Sequence, residues 1–417
     1  MVLSKISFDV ISDKTKSLFF SYALWGAAYP IISLFINAFI WRQTGSFINV
    51  AGYNLGLFIG LPFGFLFATI LLRKINIKFT YILGLLISII AGFLAIFLSS
   101  FSFFIYLTYG LIYGVGSGLY WSSRNYLTLQ ETKDEHRNYF FSIVSLANKI
   151  SGMVVAFVSG WIIFSVESML GYSATGAYLL LIFIAFIFML LSGLVIFKTN
   201  LETPTIKKIW QLSISKKWNQ VRIVAMGMGV LDGSMYFLPT LLILYFLGKE
   251  NVLGTISAVV SLISMLLLYI YGKYSSRRDR KYILLLSFSV NFLLALLLAL
   301  FMSHLSVYIF VLLCGLSLAF YWLALNPWFL SVMDTVLGEK KQDKFVVIFD
   351  HEIFLNLGRI VSVIISLVLV AEIGILPTLQ FLPLTLTLLQ LIIFAFAYLY
   401  YKDQAKTILR ALWGKLK

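Results

Sequence analysis

The sequence predicts an all-α integral membrane protein whose twelve transmembrane helices form two pseudo-symmetric six-helix bundles. Three observations carry that prediction. Of 417 residues, 61% are hydrophobic and 12% charged, with a mean hydropathy of +0.96; an ordinary soluble domain carries about 25% charged residues. Twelve apolar runs reach the length of about 20 residues that a helix needs to cross the hydrocarbon core, and none alternates as a barrel strand would. The 32 Lys and Arg fall overwhelmingly on one side of those runs.

Taken in order, the spans are read at 17–41, 46–72, 79–98, 103–129, 139–165 and 175–197, then at 220–247, 251–273, 283–303, 306–332, 345–371 and 378–401. The first run is too long for a cleavable signal peptide and follows Asp9 and Asp13. With the N-terminus in the cytoplasm, all Lys and Arg but five lie in or beside cytoplasmic segments. Arg42 and Lys249 fall outside, and Arg124, Lys149 and Arg359 lie within spans. This bias places both termini in the cytoplasm and the chain in the cell membrane as a multi-pass protein.

The pattern divides the chain at 1–197, 198–219, 220–401 and 402–417: a bundle, a linker, a second bundle and a tail. The linker joins Ile206, Ile209 and Trp210 to Lys207 and Lys208, which suits a helix lying on the membrane surface. The tail repeats that chemistry with Leu412 and Trp413 beside Arg410 and Lys415. The net charge of +15 is explained by this placement, so no nucleic-acid partner is expected. Cys314 is a single cysteine, and no segment between spans is long enough for a soluble catalytic domain.

The two halves echo each other. Gly26-Ala27-Ala28-Tyr29 in the first span answers Gly233-Ser234-Met235-Tyr236 in the seventh. Tyr120-Trp121 followed by Asn125 in the fourth answers Tyr321-Trp322 followed by Asn326 in the tenth. Span n pairs with span n+6, as a duplicated six-helix unit requires. With its six-plus-six spans, basic central loop and cytoplasmic termini, the chain resembles the major facilitator superfamily. The loop Gly272-Lys273-Tyr274-Ser275-Ser276-Arg277-Arg278-Asp279-Arg280-Lys281 fits that family's loop signature loosely. The equivalent loop of the first half keeps Arg73, Lys74 and Lys78 but has no acid. The resemblance implies a rocker-switch carrier in which spans 1, 4, 7 and 10 line a central cavity and spans 2, 5, 8 and 11 form the seam between halves.

Ionisable residues inside spans mark the candidate site, because each costs a few kcal/mol or more unless it faces protein or water. In span eleven, Glu352, Asn356 and Arg359 share one helix face, while Asp350 points away from it. Span four carries a stripe of Tyr106, Tyr109, Tyr113, Ser117, Tyr120 and Arg124. Its arginine either lines the cavity or snorkels to the headgroups. Span five puts Lys149 on a face with Ser142, Ser145 and Gly152, roughly 15 Å deep. Span seven puts Asp232 near mid-membrane, where a carboxylate suits a proton carrier or else pairs permanently with Lys149 or Arg359. Arg359 either binds substrate or is held in such a pair. Tyr22, Trp25 and Tyr29 share a face of span one.

The substrate-binding candidates are therefore Tyr29, Tyr120, Arg124, Lys149, Asn356 and Arg359. The coupling candidates are Asp232 and Glu352. Counted with Asp350, the internal charges balance. Gly56, Gly60 and Gly64 form a small-residue ridge for close helix contact. Gly114, Gly116 and Gly118 are read the same way, since no strand precedes them. His136, His304 and His351 are scattered, and no ATP-binding loop is present, so no cofactor or metal is expected. The expected function is secondary active transport of a small organic solute, driven by a proton gradient, by a chain working as a monomer in the bilayer and not as an enzyme. The alternatives are an exporter or flippase of an amphipathic molecule, and a transport-inactive receptor or assembly partner on the same scaffold.

Overall fold

The computed structural model describes residues 12–97, 102–132, 134–204, 206, 216–274, 279–340 and 344–414. Among the described residues, twelve helices are long and apolar enough to span a membrane. We label them α1 (Asp13–Thr44), α2 (Phe47–Leu71), α3 (Ile77–Phe97), α4 (Phe103–Glu131), α5 (Asp134–Ser168), α6 (Ala174–Lys198), α7 (Trp218–Leu247), α8 (Glu250–Tyr274), α9 (Asp279–Leu300), α10 (His304–Lys340), α11 (Lys344–Ile373) and α12 (Ile375–Gly414). The face where α6 meets the central linker is called the linker face, and the opposite one the far face. Residues 207–215, the heart of the expected surface helix, lie outside the described residues, as do 275–278 of the loop between α8 and α9. The backbone of α12 continues as helix to Gly414, past the expected end of the twelfth span at 401.

Turn chemistry explains where helices begin and end. Ser46 caps α2 and Ser173 caps α6 by accepting from backbone N–H groups that lack a helical partner. Gly45 and Gly374 reverse the chain on the far face with φ of +59° and +84°, a left-handed backbone that glycine adopts without a Cβ clash. The first helix of each half is irregular in a matching place. α1 contains Pro30 and then a π-turn at Ile31–Phe35. α7 breaks at Tyr236 and Phe237, resumes with Pro239, and makes a π-turn at Ile243–Leu247. Proline removes a helical hydrogen bond, and the wider turn absorbs the mismatch.

Lipid tails are as apolar as leucine, so the bundles are held by close packing and buried polar contacts. The glycine ridge on α2 meets a second one on α4. A Cβ at Gly56, Gly60 or Gly64 would fall 2.0–2.3 Å from carbonyl oxygens of Leu107, Leu111 and Val115. One at Gly110, Gly114 or Gly118 would fall 1.8–2.3 Å from those of Tyr53, Leu57 and Leu61. Gly116 turns to α3, where Ser88 N would be 2.6 Å away. Buried hydroxyls add local ties: Ser21 of α1 bonds Tyr81 of α3 and Ser192 of α6, both at 2.8 Å. In the second half Gly229 and Gly358 bring α7 and α11 together, and Ser234 N donates to Ser362 Oγ at 2.9 Å.

The halves meet along α2–α11 and α5–α8. Phe65 stacks on Phe349 at 6.2 Å between ring centres, Phe58 lies edge-on to Tyr236 at 5.8 Å, and Phe47 to Phe237 at 5.8 Å. Gly160 and Gly254 let the α5 and α8 backbones touch near the far face. Gly114→Ala should lower stability by about 1–3 kcal/mol, because the added methyl overpacks a backbone contact. Gly176→Ala, with open space around it, should leave it unchanged or raise it slightly. Thermal unfolding of the purified variants in detergent compares the two.

Candidate functional site

The expected line of polar groups on α11 forms as read. Asn356 Nδ2 donates to the Glu352 carbonyl at 2.8 Å, and Arg359 Nη1 donates to Asn356 Oδ1 at 3.1 Å. The remaining nitrogens of Arg359 reach α7: Nε and Nη2 lie 2.8 and 2.7 Å from Asp232 Oδ2. Of the two partners open to Asp232 in the sequence, Arg359 is the one it takes. Gly229 and Gly233 make this possible, since a Cβ at Gly233 would lie 2.6 Å from Arg359 O. Both charged side chains keep some accessible surface, 21% for Asp232 and 17% for Arg359, so the pair borders a space between helices. Glu352 keeps 17% and has His351 Nδ1 at 3.8 Å. Phe58 of the first half presents its ring to Arg359, 5.3 Å from the guanidinium carbon.

Asp350 has a different employment. It is fully buried and takes a two-pronged bond from Arg222, Nε to Oδ2 at 2.8 Å and Nη2 to Oδ1 at 2.7 Å, with Trp218 Nε1 donating at 2.6 Å. This corrects the balanced charge inventory. Asp350 belongs to an α7–α11 clasp toward the linker face, and Arg222, expected only as a cytoplasmic-edge cation, is its partner. The internal site then holds Arg124, Lys149 and Arg359 against Asp232 and Glu352.

The first half is built of rings. Arg124 is buried, 9% exposed, so it does not snorkel. Its guanidinium carbon lies 4.5 Å from the Tyr22 ring centre, 4.5 Å from Trp121, 5.2 Å from Trp25 and 5.9 Å from Tyr120. Trp25 stacks between Tyr120 and Tyr29, each at 4.8 Å. Tyr29 in turn lies beside Tyr236 of α7, so the two echoed tyrosines meet across the seam. Lys149 is half-buried on α5. Its neighbour Asn148 crosses α1 at Gly26, and Gly152, one turn on, faces Ser261 of α8. Lys149 makes no ion pair among the described residues.

A further cluster, which sequence reasoning misses, closes the far face. Arg42 of α1 bonds Glu167 of α5 and, at 2.7 Å, Glu250 of α8. Tyr178 of α6 donates to the same Glu250 oxygen at 2.7 Å, and Lys249 lies 3.6 Å from Glu167. The two basic residues outside the positive face are thus both engaged in joining the halves. Their isolation on that side was the available signal; two acids at the ends of distant spans gave no sequence-local sign of their partners.

The profile of the Major Facilitator Superfamily matches residues 17–350. The chain belongs to the Major Facilitator Superfamily. Among its superfamily relatives, the Bacillus subtilis (strain 168) "Uncharacterized protein YqgE" is 28% identical over 88% of this chain and 86% of its own length. The "Uncharacterized protein in sodM 3'region" of Geobacillus stearothermophilus is 32% identical over 33% of this chain and 65% of its own. The superfamily fold is seen directly in the transporter FucP in the outward conformation, with a TM-score of 0.59, 14% identity and coverage of 92% of this chain and 98% of FucP. A variant of the E. coli fucose:proton symporter FucP gives 0.58 with the same identity and coverage. Family and fold are those of membrane transporters.

Breaking the Arg222–Asp350 clasp should destabilise this superfamily member strongly. Asp350→Asn removes the carboxylate from a buried guanidinium and should cost about 3–5 kcal/mol. The double variant Arg222→Leu/Asp350→Leu should recover much of that loss. Thermal unfolding of the wild type, Asp350→Asn and the double variant measures it.

Proposed function

We propose that the chain is a secondary active transporter of a small organic solute, coupled to protons and working by alternating access. The observation that supports it most is the Arg359–Asp232 pair, set within the membrane, bordering a space, and capped from the other half by Phe58. A purely structural pair would gain from full enclosure; this one keeps surface on both partners. Protonation of Asp232 would release Arg359, and a freed guanidinium can take a substrate group or relax toward Asn356. Glu352, two turns along α11, is the second coupling group. Tyr29, Tyr120, Arg124, Lys149, Asn356 and Arg359 form the substrate shell. FucP, which shares the fold, is a fucose:proton symporter, and proton coupling here agrees with that. We assign the linker face to the cytoplasm of the cell membrane from the placement of the basic residues, and a single chain suffices for the cycle.

The flippase alternative gains little. An apolar groove of about 310 Å³ lies between α3 and α6, lined by residues such as Phe79, Leu86, Phe186 and Phe197. It sits within the first half, away from the seam and from every charged residue of the site.

Asp232→Asn should abolish proton-driven accumulation in proteoliposomes while leaving solute counterflow partly intact; full accumulation in that variant defeats the coupling assignment. The far-face network is the gate in this reading. Arg42→Gln leaves Glu250, 2% exposed, without its guanidinium and should favour opening on that side. Labelling of a cysteine placed at Ser33 by an impermeant maleimide, in a Cys314→Ser background, should speed up ~tenfold, equivalent to about 1.4 kcal/mol of lost gate stability.

A further inference from the structure

The arginines inside helices are not all treated alike. Arg42, Arg222 and Arg359, each inside a helix, hold a carboxylate. Arg124 holds none. It is more than nine-tenths buried, and its Nη1 has no hydrogen-bond partner. Four aromatic rings surround it, and their faces attract a cation but accept no conventional hydrogen bond from it. The next acid along α4, Glu131, is two turns away, about 10 Å of rise. Asn148 Oδ1, where α5 crosses α1 at Gly26, is likewise buried without a partner. Lys149 follows it directly, again with no anion among the described residues. Two unsatisfied polar groups, Arg124 and Asn148, therefore flank Trp25 and Gly26, and the cation Lys149 adjoins the second of them along α5. A buried, unpartnered charge is unfavourable, and a bound anion removes the penalty.

The inventory of the described charges within the spans points the same way. Once Asp350 is assigned to Arg222, Arg124, Lys149 and Arg359 face Asp232 and Glu352, which leaves one positive charge in excess. The shape of the site adds a second requirement. Trp121 and Tyr29 are only half-buried, so flat ring surfaces adjoin the cations. Ring faces beside a guanidinium fork suit a planar apolar body that ends in a carboxylate or phosphonate.

Resting on the transporter reading, we infer that the substrate is an organic anion with a flat apolar body, its head held by Arg124 with help from Lys149 and its body against Trp121 and Tyr29. Arg124 is then the anchor in the first half, and the Arg359–Asp232 pair answers from the second.

The test uses the purified full chain in nanodiscs, with benzoate and phenylphosphonate as anionic probes and benzamide and benzylamine as neutral and cationic controls. Binding is read by tryptophan fluorescence and by the shift in thermal unfolding. Both anions should bind saturably and raise the unfolding temperature, and both controls should bind at least tenfold more weakly. Arg124→Gln should weaken the anions at least tenfold, Arg124→Lys less, and Lys149→Gln severalfold. Equal binding of benzamide, unchanged affinity in Arg124→Gln and Lys149→Gln, or no binding of either anion overturns the inference. Arg124-dependent anion binding without counterflow of any bound anion would keep this site and defeat the transporter reading. Counterflow confined to neutral solutes would do the reverse.

Discussion

A charge placed in hydrocarbon must be neutralised, hydrated or surrounded by polarisable surfaces, and much of this molecule is arranged around that requirement. Neutralisation appears in three settings and aromatic enclosure in one. Arg222 and Asp350 neutralise each other in a dry clasp that fixes α7 to α11. Arg359 and Asp232 neutralise each other at the edge of a space. Arg42 is shared by two acids from different halves. Arg124 is left to aromatic faces, and Lys149 to a half-buried position on the seam. The ordering runs from permanent to provisional, and under the proposed transport the provisional solutions lie on the solute's path.

The glycines make this arrangement possible. Backbones that touch leave side chains no choice but to project elsewhere. On α4, Gly110, Gly114 and Gly118 lie against α2, which turns the Tyr113–Tyr120–Arg124 stripe toward α1 and the seam. On α11, Gly358 lies against α7 beside Arg359, and this sets the guanidinium level with Asp232. Close packing thus acts as positioning, and the same residues serve stability and site geometry.

Much of this was legible in the sequence. Length, apolarity and charge placement yielded the twelve spans to within a few residues at most ends. The i, i+4, i+7 spacing of Glu352, Asn356 and Arg359 correctly predicted their shared face, because helical periodicity is a local property. What stayed hidden was pairing between distant segments. Nothing near Asp350 announces Arg222, 128 positions away, and a simple count of charges treated a clasped acid as a free one. Arg42, Glu167 and Glu250 were hidden for the same reason. The kinks of α1 and α7 had a visible cause in Pro30 and Pro239, although a proline alone does not specify the π-turn that follows.

The pairing of Tyr29 with Tyr236 has a geometric consequence. Echoed residues that touch each other stand on the pseudo-two-fold axis relating the halves. That axis runs along the membrane normal, whereas rocking turns the halves about an axis in the membrane plane; a pair where the two axes cross keeps its separation, while points above and below it trade closeness for distance. Under the proposed rocking motion these phenols act as a fulcrum, holding the register of the molecule while its two ends open in turn.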